Sequence, residues 1–105
     1  MALKSYQTAL ALDTLYEVRK AKISADEQRG PNLWINSGTV DVYGSNSATQ
    51  PGALANMTLS TENTEVSGLV QFTAIPRYIA IVQNTGTTTE LVASGVDVVS
   101  RGAIS

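Results

Sequence analysis

The side chains able to do chemistry in this 105-residue chain are carboxylates and hydroxyls, because it contains no His and no Cys. Without imidazole there is no Ser-His-Asp relay and no zinc-hydrolase ligand set. Without thiols there is no disulfide, no thiolate nucleophile and no iron–sulfur site. The acids come at three spacings. Asp13 and Glu17 are four apart and would meet on a helix. Asp26 and Glu27 are neighbours in a polar stretch, and Glu62 and Glu65 share a turn-prone one. None has the apolar surround that raises a carboxyl pKa for acid–base work, so all read as solvated surface acids. Asp41 with Ser45 and Asn46 lacks the acidic pattern of a calcium loop. A small hydrolase using Asp41 and a Glu is a third-ranked reading. Glycines fall singly at turns, in no phosphate-cradling motif. The expectation is no catalytic residue, no cofactor, no metal and no small-molecule substrate.

The aromatic side chains are equally sparse. Trp34, Tyr43 and Tyr78 would make a sugar-stacking platform if one face carried all three, which is the basis of an alternative function as a carbohydrate- or host-surface-binding module. Their first reading is core or interface, where large aromatics dominate the energetics. Charged residues are 15% of the chain, against about 25% in typical domains. Part of the surface is therefore not built to face water. The longest basic cluster, Arg19, Lys20 and Lys22, is too short for a nucleic-acid footprint and reads as a solvated strand or contact arm. No apolar run approaches the ~18 residues of a membrane span. Polar residues from Ser5 to Thr8 interrupt any secretory apolar region, so synthesis in a cytoplasm is expected.

The elements that would carry these residues are mostly strands. Residues 1–13 are expected to be an N-terminal arm or short helix, since Leu3, Tyr6 and Leu10 fit helical spacing but the segment is short. Residues 14–105 are expected to be a single β domain. Thr14–Ile23 alternates, with Tyr16, Val18 and Lys20 on one face. Asn36-Ser37-Gly38 separates two β-rich runs as a tight turn or bulge, and Val40 and Val42 alternate with Thr39, Asp41 and Tyr43. Residues 76–83 read as a strongly buried strand. Asn84-Thr85-Gly86 is a second hairpin-type signal, Ser94-Gly95 a kink, and Arg101 to Ser105 a short tail. Turn signals roughly every ten residues suit an all-β fold, an antiparallel sandwich or jelly-roll-like barrel of six to eight short strands. Trp34, Val40, Val42, Phe72, Ile79, Ile81 and Val98 are the expected core.

Two segments, WINSGTVDVYGSN at 34–46 and IPRYIAIVQNTGTTTELVASGVDVV at 75–99, resemble small β-rich virion proteins of tailed bacteriophages. These are the capsid decoration (cement) proteins and the small head–tail or tail-associated proteins. The resemblance is one of texture: Thr-, Ser-, Gly- and Val-rich strands, no Cys and a short polar tail. It implies a non-enzymatic structural protein located in the virion, a homo-oligomer bound to the major capsid protein or another virion subunit, and touching neither nucleic acid nor membrane. The expected mechanism is mechanical, with the N-terminal arm and unguarded strand edges bridging subunits. Tyr6, Leu10, Leu12, Tyr16, Arg19 and Lys20 are the expected partner contacts. Deleting residues 1–13 is expected to spare the fold and abolish binding.

Overall fold

The computed structural model describes residues 7–21, 31–72 and 75–105. Among these residues seven strands form one antiparallel sheet: β1 (Gln7–Ala9), β2 (Thr14–Ala21), β3 (Asn32–Ser45), β4 (Val66–Gln71), β5 (Tyr78–Thr85), β6 (Glu90–Ser94) and β7 (Val96–Ala103). Their order is β1-β6-β3-β5-β2-β7, with β4 on the other edge of β3, and the sheet is nearly closed into a barrel.

The register shows how so short a chain closes. Ile35 pairs with Gly68 of β4 and Leu91 of β6, while Val40 pairs with Val66 of β4 and Gln83 of β5. Strands β5 and β6 therefore lie end to end along one edge of β3. Strands β1 and β2 lie end to end along the next edge out, since β1 pairs with β6 and β2 with β5. The three long runs bend at aligned corners, at Leu12-Asp13, Ser37-Gly38 and Gly86 to Thr89. Asp13, Ser37, Gly38 and Gly86 all have φ between 56° and 71° there. A crease thus crosses the sheet and folds one half over the other. Gly38 is obligatory at it: a Cβ would stand 2.8 Å from the Thr85 carbonyl oxygen.

The corner in β3 is the bulge alternative of the sequence reading, and the chain runs through it as one strand. Inward-facing positions shift from Leu33 and Ile35 before it to Val40 and Val42 after it, as an odd number of inserted residues requires: from Ile35 to Val40 β3 spends five residues while β4 spends two. The signal at Asn84-Thr85-Gly86 marks a corner too, not a hairpin, because β5 and β6 both pair with β3 rather than with each other.

The main core lies inside the barrel and includes Leu10, Tyr16, Leu33, Ile35, Val40, Val42, Ile79, Ile81, Leu91 and Val96. A second, smaller core lies on the outer face of the β3–β5–β2–β7 half, where Met57 and Ile104 cover Leu15, Tyr78 and Ala80. Strand β5 is buried on both faces because it lies between the two cores. Val40, Val42, Ile79 and Ile81 are core as expected, with Phe72 and Val98 packed against them.

Several expectations need correction. The described part of 1–13 takes the extended form rather than the helical one, since Gln7–Ala9 completes a ladder with β6 that a three-residue helix could not replace. Leu10 and Tyr16 are core residues of this chain, not partner contacts: each is under 10% exposed, and the Tyr16 hydroxyl accepts a hydrogen bond from the Ala11 N–H at 2.7 Å. Leu12 is half-buried against the same core. Removing 1–13 would therefore strip out core and a strand. Trp34 is not core; it falls on the outward parity of β3 and is 40% exposed. The expected tail is mostly β7, and Ile104 beyond it is buried.

Candidate functional site

The outer face of the β4–β3–β6–β1 half carries the exposed apolar surface. Leu69 pairs with Trp34, Trp34 with Val92, and Val92 with Ala9, so four apolar side chains form a row across four strands. Outward parity puts them there, opposite to Leu33, Val70, Leu91 and Ala93, whose side chains fill or pack on the main core. Leu69 is 68% exposed. Strand β4, which ends the row, has no charged residue, and its outer edge pairs with no described strand. The outer face of the other half is covered by Leu54, Met57 and Ile104.

The Trp34 Nε1–H donates to Glu90 Oε1 at 3.3 Å. Glu90 in turn lines an open cleft of about 310 Å³ with Ala9, Leu10, Leu12, Thr88, Thr89 and Leu91. The cleft arises from the crease. Between the pairs Ala9↔Val92 and Leu15↔Ala80 the β1–β2 run spends six residues and the β5–β6 run twelve, so the ladder parts there. Among the described residues, the backbone bonds that cross the seam are Leu10 N–H to Leu91 O and Asp13 N–H to Ile81 O, both 2.9 Å.

Of the sequence-selected carboxylates, Glu17 and Asp41 are occupied elsewhere, and Asp26 and Glu27 lie outside the described residues. Glu17 accepts from Arg101 and lies 3.8 Å from Arg77. The Arg101 hydrogen bond is the main cause holding its carboxyl below the ordinary range; burial opposes it, and the charges of Arg101, Arg77 and Arg19 assist. Asp41 Oδ1 accepts from the Glu65 N–H and the Asn84 side chain, each at 2.9 Å, while Asn46 Oδ1 caps the Arg77 N–H. Asp41 and Asn46 thus have separate tasks. Among the described residues no acidic group is arranged to hold a metal, and no helix is long and apolar enough to cross a membrane. Tyr78 and Tyr43 belong to the second core, on the half away from Trp34, so the three-aromatic platform does not form. Arg19 is exposed; Tyr6 and the Lys20 side chain lie outside the described residues.

Sequence reasoning missed the row and the cleft. The row needs the register of four strands from distant parts of the chain, which no local pattern encodes. No protein-family model matches the sequence, and searches of the curated proteins and of the solved structures find no match.

Proposed function

We propose that this chain is a non-enzymatic structural subunit of a tailed-phage virion, binding the major capsid protein or another shell or tail subunit as a decoration or head–tail component. The observation that carries the reading is the uncovered row Leu69–Trp34–Val92–Ala9 ending at the uncharged β4 edge. A free monomer guards such an edge with charge or Pro, and an assembled subunit covers it with a neighbour. Full burial of a large apolar side chain is worth about 1.5–3 kcal/mol, so a few such contacts suffice when many sites act together. The binding surface is this row and edge, in place of the Leu10 and Tyr16 contacts first expected.

Co-sedimentation with purified phage heads and tails from the source of the sequence tests the reading. The wild-type chain should pellet with one of them at a fixed ratio to the shell or tail protein, and Leu69→Arg should stay in the supernatant. Finding the chain in no particle, by pelleting or by mass spectrometry, defeats the proposal.

A further inference from the structure

We propose that the crease cleft beside Trp34 is a binding site for a neutral sugar ring. Its floor is apolar, formed by Ala9, Leu10, Leu12 and Leu91, and its rim is three consecutive hydrogen-bonding residues, Thr88, Thr89 and Glu90. Its volume is at the lower end of the range for small-ligand sites. The half-exposed indole of Trp34 adjoins the rim through its bond to Glu90.

The polar atoms are held in place and retain capacity. The Thr88 Oγ1 accepts from Gln83 Nε2 at 2.9 Å, which leaves its O–H available to donate. Thr89 Oγ1 donates to the Asn36 carbonyl and keeps lone pairs for an incoming donor. Glu90 Oε1 takes the indole N–H, and Oε2 has no hydrogen-bond partner among the described residues.

Elimination by charge and polarity selects the ligand class. An anion would meet the Glu90 carboxylate with no cation among the cleft residues. A purely apolar group would leave the Thr88 hydroxyl and the free Glu90 oxygen without a partner in the ligand. A bound cation needs several converging oxygens, and this cleft supplies one carboxylate, half used. A sugar ring satisfies both parts at once. Its C–H face lies on the apolar floor, and its hydroxyls donate to Glu90 Oε2 and accept from Thr88. The cleft shares Ala9 with the apolar row and adjoins Trp34, so a bound subunit and a sugar would compete there, whereas Leu69 and the β4 edge lie at the opposite end of the row and touch only the subunit surface.

The test is NMR titration of the isotope-labelled chain with methyl glucoside, methyl galactoside, methyl mannoside, N-acetylglucosamine, lactose and cellobiose. One probe should shift the signals of residues 9–12, 34 and 88–91 saturably, with a Kd of about 1 mM, the affinity class of a shallow site. The emission of Trp34, the single Trp, should change in parallel. Glu90→Gln and Thr88→Val should each weaken that binding about tenfold, and Leu69→Arg should leave it unchanged. Should a variant fail to fold, the wild-type shift map alone decides. Absence of saturable shifts with every probe overturns the proposal, as does a shift map centred away from these residues.

Discussion

Gln83 and Thr88 are joined at both ends of the glutamine amide: Nε2 donates to Thr88 Oγ1 at 2.9 Å, and Oε1 accepts the Thr88 N–H at 2.8 Å. The same Nε2 reaches the Thr39 carbonyl at 2.9 Å and the Thr85 carbonyl at 3.1 Å. One side chain thus satisfies polar groups that the corner between β5 and β6 removes from the ladder, and it fixes the loop that forms the cleft rim. Gln83→Leu should lower the unfolding free energy by about 2–3 kcal/mol, because it leaves half-buried carbonyls unpaired. Gln83→Glu should destabilise as well, since a carboxylate would face two carbonyl oxygens. Urea denaturation of the three proteins checks both outcomes.

Gly38 and Ser37 make opposite predictions on adjacent residues. Gly38→Ala places a Cβ 2.8 Å from Thr85 O and 2.9 Å from Gln83 Nε2 at φ +69°, so a loss of about 2–4 kcal/mol follows from strain and displacement together. Ser37 already bears a left-handed φ of 71° with a side chain, and Ser37→Gly should raise stability by up to about 1 kcal/mol. Thermal melts of the two variants should move in opposite directions.

The Glu17–Arg101 pair sets a pH dependence. Glu17 has a lowered pKa in the folded chain, so its contribution is fully present above the ordinary carboxyl pKa and is lost as pH falls through the lowered value. The stability difference between wild type and Arg101→Met should be constant near neutrality and shrink toward zero in acid. Denaturation midpoints from about pH 7 to about pH 2 would show it. A difference that grows on acidification contradicts the pairing.

Ile104 tests the second core. It is 5% exposed, its N–H bonds Asp13 O at 3.0 Å, and the Ser105 carbonyl accepts the Leu54 N–H at 3.0 Å. Ile104→Ala should cost about 2–4 kcal/mol. Removing Ile104 and Ser105 together should cost more and increase binding of an apolar dye, as the Leu15 and Tyr78 face opens.

Leu69→Arg should leave the melt within about 0.5 kcal/mol of wild type, because the side chain is 68% exposed, while eliminating association with particles. A large stability loss would reassign Leu69 from a partner surface to the fold.

Period-two alternation made β2 and the second half of β3 legible in the sequence, because each packs one face against the main core, while β5 was legible as a continuous apolar run because it is buried on both faces. The Gly38 bulge was legible as one of two alternatives, since glycine marks left-handed backbone whether the chain turns back or only bends. Asn84-Thr85-Gly86 misled for that reason. Trp34 was misplaced because hydrophobicity does not say which face of a strand points inward, and the bulge reverses parity along β3. Leu3 and Tyr6, whose spacing with Leu10 suggested a helix, lie outside the described residues; Gln7–Ala9 between them and Leu10 joins a ladder with β6, a partner more than eighty residues away in the chain. The cleft was invisible locally because it is a mismatch in length between two neighbouring runs.

The unbroken passage of β3 through the crease has a mechanical consequence. A fourteen-residue strand that both lobes share as a common spine leaves no seam along which one lobe could detach intact. Cutting the chain at Ser37 would release neither lobe as a stable fragment, and unfolding should follow a single cooperative transition with no half-open intermediate.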